Sequence, residues 1–276
     1  MTIGITSNAY FDRYGLKEGA ERMRRHGYDC VDYQWLVNTE TPLFSLSQAE
    51  FEKRLIGERA ILEGTGIRVS QTHGPWRCPI RDATKEDRDE RFEKMAKSLY
   101  ATALLGSSFM VIHPIMPTGG CDKDKELTKE VNADFFGRLT QVAQSCGVVI
   151  CLENMPFRGQ IYAKPEDTLA LVKQIHSPYF RMCLDTGHAA VWKVSPADAV
   201  RQIGREWLCT LHVHDNDGEH DQHRLPGEGV IDWTDFSAAL REIGFEGTVS
   251  LETRVQDPVT EEAEMALAET AKKLAQ

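Results

Sequence analysis

The sequence predicts an α/β protein folded as one (β/α)8 TIM barrel across residues 1–276, and three observations carry that expectation. Short β-rich apolar runs alternate with longer amphipathic stretches, the mark of parallel strands covered by helices. Eight such units in 276 residues fit one large barrel. The phosphate-cradling signatures of a doubly wound open sheet, GxGxxG and GxxxxGK(S/T), are absent.

The elements follow in order. IGITS (3–7) and CVDY (30–33) are the first two strand runs, and a helical pattern over 47–63 leads to IRVSQTH (67–73). A pattern over 86–105 precedes FMVIHP (109–114), and one over 126–146 precedes VVICLEN (148–154). The pattern over 165–175 leads to FRMCLDT (180–186), and that over 196–204 to LCTLHVH (208–214). Patterns over 234–243 and 259–275 flank the last run, TVSLET (248–253).

Composition narrows the function. No stretch of eighteen apolar residues is present, which excludes a membrane-spanning helix, and MTIGITSNAYF lacks the basic and apolar regions of a secretory signal. Seven cysteines without a CxxC pair read as reduced, mostly buried thiols of a cytoplasmic protein. A net charge of −10 disfavours nucleic acid and anionic membranes as partners.

The chemistry lies in where the strand runs end. His73 closes the third, His113 lies at the end of the fourth, Glu153 of the fifth and Asp185 of the sixth. His212 lies in the seventh and Glu252 at the end of the eighth. In a barrel the C-terminal strand ends converge on one face, so these residues would meet across one pocket. A lone strand-end histidine is ordinarily a packed residue, but burying a carboxylate is costly unless it is paired or bound to a cation. Asp185 is therefore read as a ligand rather than as a helix cap. Mixed carboxylate and imidazole donors suit zinc, manganese, cobalt or iron better than calcium, and magnesium stays among the candidate divalent metals. Without cysteine ligands the centre is expected to be catalytic. Glu153 and Glu252 would approach it from different sides, as an isomerase needs when one carboxylate removes a proton from carbon and another returns it. The metal would hold adjacent oxygens of a hydroxy-ketone and stabilise an enediolate.

The segment LHVHDNDGEHDQHRLPGEG (211–229) holds four of the nine histidines. His214 shares the face of His212 if the strand continues that far. Arg224 is either a clamp for a sugar hydroxyl, carboxylate or phosphate, or a plain surface residue. PWRCPIRD (75–82) is expected to form one wall, with Trp76 as an apolar platform for a sugar ring or as packing. His26, His176 and His220 are read as surface residues.

THGPW (72–76), VIHP (111–114), CLENM (151–155), CLDTGHA (183–189), LHVHDN (211–216), HRLPGEGVIDW (223–233) and GTVSLET (247–253) together resemble the xylose-isomerase-like barrel superfamily, especially its sugar phosphate isomerase/epimerase branch. The resemblance spans essentially the whole chain. It implies one divalent metal held by Glu153, Asp185, His212 and Glu252, with the two glutamates as the acid/base pair. It places His188 and Arg224 on a sugar or polyol substrate, which His73 and His113 would also face. Ketose 3-epimerases carry another glutamate six residues after the first catalytic one, where this chain has Gly159. The zinc-dependent apurinic endonucleases of the same superfamily offer a rival, a multi-zinc phosphodiesterase. By that resemblance His73, His113 and Glu153 hold one metal, and Glu153, Asp185, His212 and Glu252 a second. Asp221, His188 and His223 hold a third. The tyrosine and asparagine that follow the first histidine in those enzymes are missing, glycine replaces their cysteine in DTGH, and no basic and aromatic run suits a DNA backbone. An isomerase or epimerase is the favoured reading, with lyase or dehydratase chemistry on a cyclic polyol in the same pocket as an alternative. A barrel that only binds a sugar is a third reading, disfavoured because a pure binder has no need of both glutamates. The superfamily contains monomers, dimers and tetramers, so a homo-oligomer is compatible with the sequence.

Overall fold

A computed structural model of the chain describes residues 1–253 and 259–276. Its strands are β1 (Thr2–Thr6), β2 (Cys30–Tyr33), β3 (Arg68–His73), β4 (Phe109–Ile112), β5 (Val149–Glu153), β6 (Phe180–Asp185), β7 (Leu208–His212) and β8 (Thr248–Leu251). The helices are α1 (Asn8–Tyr14), α2 (Leu16–His26), α3 (Gln48–Thr65), α4 (Lys85–Leu104), α5 (Lys125–Cys146), α6 (Pro165–Ile175), α7 (Thr186–Val191), α8 (Pro196–Trp207), α9 (Trp233–Glu242) and α10 (Glu261–Ala275). All regular pairings are parallel, in the order β7-β6-β5-β4-β3-β2-β1-β8. The ring closes between β7 and β8 through one bridge, Val213 to Leu251. There Val213 N donates to Ser250 O at 2.9 Å and Glu252 N donates to Val213 O at 3.0 Å. This is the (β/α)8 barrel expected, and closure excludes the doubly wound open sheet.

Helix starts follow side-chain chemistry. Ser47 and Glu50 form a reciprocal capping box at α3, while Thr84, Asp124, Ser195, Asp232 and Thr260 each accept a backbone N–H at a helix N-terminus. Three helices lie outside the sequence expectation. Gly15, at φ 74°, breaks the segment after β1 into α1 and α2. Asp185 starts the short α7, its Oδ1 accepting the His188 N–H at 2.6 Å, so it caps a helix as well as standing at the strand end. The 196–204 pattern stops where Gly204 (φ 71°) kinks α8, which resumes to Trp207.

The main core lies between barrel and helices, where Ile5, Val31, Leu184, Leu211 and Val249 meet helix residues such as Phe51, Leu55 and Phe236. A small cluster of Val111, Cys151 and Cys183 packs with Phe109, Val149 and Cys209. Val111, Cys151 and Cys183 stand two residues before His113, Glu153 and Asp185, so side-chain alternation sets an apolar floor beneath the polar strand ends. Two expectations are corrected. Only Cys30, Cys151 and Cys183 are buried, while Cys78 and Cys121 on loops are exposed. His26 is a buried residue whose Nδ1 lies 2.8 Å from Tyr10 Oη, because the last turn of α2 packs onto α1. His176, in the left-handed cap of α6, and His220 are exposed. Among the described residues no helix is long and apolar enough to cross a membrane.

Candidate metal centre

The strand ends converge as parallel closure requires. Glu153, Asp185 and His212 end β5, β6 and β7, and Glu252 lies one residue beyond β8. One donor atom from each of the four falls within 4.8 Å of the others. His212 Nδ1 lies 2.8 Å from Glu153 Oε1 and 3.1 Å from Glu252 Oε2, so both glutamates face one imidazole nitrogen. His73, His113 and Glu153 form a second group, and His188, His214, Asp221 and His223 a third. Glu153 belongs to the first two. His214 lies beyond the end of β7, yet its Nε2 reaches Asp185 Oδ1 at 3.0 Å, a neighbour that periodicity alone did not assign.

The hydrogen-bond pattern fixes how three of the imidazoles are turned. His73 Nδ1 lies 2.8 Å from Gly74 O, His188 Nδ1 lies 2.8 Å from Asn154 O, and His223 Nδ1 lies 2.6 Å from Glu252 O. A carbonyl only accepts, so each Nδ1 carries the proton and each Nε2 of a neutral ring presents a lone pair. Those lone pairs face carboxylate oxygens: His73 toward Glu153 at 3.4 Å, and His188 and His223 toward Asp221 at 3.4 Å and 3.3 Å. Acceptor facing acceptor is tolerable only when a proton or a cation lies between. Glu153 Oε2 is buried without a hydrogen-bond partner, although His113 Nε2 stands 3.0 Å away.

Protons can meet that demand. Burial opposes charge on His188, yet Asp185 and Asp221 outweigh it and push its pKa up to about 10. Burial opposes charge on His223 too, but Asp221 and Glu252 raise it to about 9. For Glu153, burial favours the neutral acid, and the facing imidazoles of His212, His113 and His73 overturn this and hold it well below the usual carboxylate range. His113 goes the other way, since burial outweighs Glu153 and lowers it to about 4. A cation entering the centre would take the place of these protons. Donor types, spacing and the unmet oxygen all fit a divalent metal.

A cavity of about 480 Å³ opens over the centre. Its lining includes His73, His113, Glu153, His188, Asp221, His223 and Glu252, with Val37, Trp76, Met155, Phe157 and Val191 as an apolar wall. Trp76 both lines the cavity and packs edge-on to His113, centroids 4.6 Å apart. Arg224 is not in that lining. Its backbone pairs with Asp215 in both directions at 2.8 Å, and its Nη1 donates to Glu228 O at 3.3 Å. Gly159 lines a different groove.

Several supporting residues went unread in the sequence. Asn154 joins β5 to β6, its side chain accepting from Asp185 N at 2.9 Å and donating to Asp185 O at 3.0 Å. Asp215 Oδ2 accepts from Gly227 N, Gly229 N and Trp233 Nε1 at 3.0, 3.1 and 2.8 Å, folding PGEG back so that Asp221 and His223 overhang the cavity. Asp32 and Gln71 lie behind His212. The available signal for Asp32 was a carboxylate inside the apolar run CVDY.

A parallel barrel that collects carboxylates and imidazoles at the C-terminal strand ends has the architecture of a barrel enzyme. The chain belongs to the xylose isomerase-like TIM barrel family, whose model matches residues 20–275. An uncharacterized protein of Methanocaldococcus jannaschii, MJ1311, is 31% identical over 192 residues, 66% of this chain and 65% of that protein, so the match spans just under two thirds of the relative. The D-psicose 3-epimerase of Ruminiclostridium cellulolyticum is 27% identical over 247 residues, covering 86% of this chain and 77% of the epimerase. The IOLI protein solved with a bound zinc atom superposes with a TM-score of 0.78 at 21% identity, over 99% of this chain and 96% of that one. Sugar epimerases recur among both the sequence relatives and the structural neighbours.

Proposed function

We propose that the protein is a divalent-metal-dependent isomerase or epimerase acting on a sugar, sugar phosphate or polyol-derived hydroxy-ketone. The observation that carries this reading is that Glu153, from β5, and Glu252, from the end of β8, both face His212 Nδ1, at 2.8 and 3.1 Å, and both line the cavity. Glu153, Asp185, His212 and Glu252 would hold the metal. When bound, it supplies Lewis-acid polarisation of neighbouring substrate oxygens. One glutamate takes the proton from the carbon beside the carbonyl, and the other delivers a proton to the opposite face of the flattened carbon. The apolar wall of Trp76, Met155 and Phe157 seats a sugar face and excludes water from the transfer. With Gly159 outside the cavity lining, no glutamate from that position helps hold the substrate, which argues for a reaction other than ketose 3-epimerisation.

The test combines metal content with carbon–hydrogen exchange. Wild-type protein is expected to hold about one zinc, manganese, cobalt or magnesium ion per chain. In deuterated water it should exchange the proton beside the carbonyl in at least one member of a panel of ketoses, keto-glycosides and inososes. Glu153→Gln and Glu252→Gln should each lower exchange by roughly 10²–10⁴-fold. Absence of exchange across the panel would count against the reading.

The three ligand groups, two of them sharing Glu153, favour one second reading: a multi-zinc phosphodiesterase. Three zinc ions per chain with hydrolysis of abasic DNA would establish it. Against it, the described cavity lining contains no lysine or arginine to meet a polyanion.

A further inference from the structure

His212 is held differently from its neighbours. His73, His188 and His223 each turn Nδ1 toward a backbone carbonyl and Nε2 toward a carboxylate. In His212 the ring is reversed, with Nδ1 facing Glu153 and Glu252 while Nε2 lies 2.9 Å from Asp32 Oδ2. Asp32 is wholly buried in β2, which is not a sheet neighbour of β7, so the contact spans the barrel interior. Gln71 on β3 donates its Nε2 to the same Asp32 oxygen at 3.0 Å and lies 3.4 Å from Leu211 O, just before His212. Asp32 Oδ1 is buried without a hydrogen-bond partner.

Such a carboxylate is poorly explained by stability. Burying it costs several kcal/mol by the usual transfer arguments, and one of its oxygens recovers nothing. A neutral acceptor would orient the imidazole, as carbonyls do for the other three. A carboxylate adds charge. Accepting Nε2–H, it keeps the Nδ1 lone pair directed at the glutamates and makes that nitrogen a stronger donor.

We propose that Asp32, oriented by Gln71, is a positioning residue that selects the Nδ1-donor form of His212 and strengthens it as a ligand. This rests on the metal reading above, and the experiment separates the two. Metal-free protein is titrated with zinc(II) against a chromophoric chelator and with cobalt(II) by visible absorption, and its Tm is measured without metal. Asp32→Asn keeps an oxygen where Oδ2 now accepts from both Gln71 and His212, so it isolates the charge. Asp32→Ala removes the acceptor and frees the ring to reverse. Zinc affinity is expected to fall about 10-fold in Asp32→Asn and about 100-fold in Asp32→Ala. The cobalt spectrum should change in Asp32→Ala, and the metal-free Tm of Asp32→Asn should equal or exceed that of the wild type. Zinc affinities within twofold of wild type would overturn the inference, as would an affinity loss accompanied by a matching fall in metal-free Tm. If Asp32→Ala does not fold, Asp32→Asn decides alone. A wild-type protein that binds neither zinc nor cobalt would sink the metal reading, and this inference with it.

Discussion

Gly187 occupies the first turn of α7, where an added Cβ would run into the ring of His214. That ring contacts Asp185, and Asp185 also caps the helix through the His188 N–H. The bare Gly187 therefore leaves room for the His214 ring to pack against the turn that holds Asp185 and His188. Gly187→Ala is expected to push His214 off Asp185 and weaken zinc binding by about tenfold, while far-UV circular dichroism stays unchanged. Chelator competition checks this, and an unaltered affinity would show that His214 has no part in the centre. The histidines differ because their environments differ: burial dominates at His113, while paired carboxylates dominate at His188 and His223.

At the scale of elements, the connection from β3 to α4 carries Trp76 and Cys78 into the cavity wall. It is anchored through Arg77, whose Nη2 donates to Glu90 of α4 at 2.7 Å, an oxygen that Lys94 Nζ shares at 2.7 Å. The two cations hold the Glu90 pKa down at about 2, from an ordinary 4.5. A depressed acid stabilises the fold above its ordinary pKa and loses that contribution as pH falls through the folded value. Glu90→Gln should thus lower stability near neutrality by about 0.5 kcal/mol after solvent screening, read as a small fall in Tm. The gap to wild type should narrow between about pH 4.5 and 2 in a series of thermal melts. A gap that stays constant with pH would mean that charge pairing is irrelevant there. Elements of this kind differ in how well sequence reveals them. The apolar strands and the carboxylates ending them were legible, because burial forces a continuous hydrophobic run and a charge at its end stands out. The helices α1, α2 and α7 were not, since 7, 11 and 6 residues around glycine breaks carry too few turns for a clear period. Asp32 was invisible as a partner of His212 because the two lie 180 residues apart on strands that do not adjoin. Arg224 was legible only by residue type, which offered a ligand clamp or a surface residue, while the backbone pairing with Asp215 that fixes its place is not visible in the sequence.

At the scale of the molecule, β7 and β8 close the barrel through the Val213–Leu251 bridge. Its neighbours are His212 and His214 on one side and Glu252 on the other, so the candidate ligands straddle the closing seam. Anything binding the native arrangement and not the unfolded chain stabilises it by mass action. Stripping metal with a chelator should lower Tm, and re-addition at 100 times Kd should restore about 2.7 kcal/mol. Hydrogen exchange should accelerate along β7 and β8 more than along β3 and β4. Uniform exchange across the barrel would show that the seam is held without help from the centre.

That seam has a consequence for how this scaffold can change. Residues that shut the ring are chain neighbours of those offered for chemistry, so substitutions at the reactive end fall beside the hydrogen bonds that close the barrel. Novelty in what it acts on is left to parts that do not bear the ring: the wall around Trp76 and the turn holding Met155 and Phe157. A panel of variants drawn from those two surfaces would retune selectivity while the reactive end stays as it is.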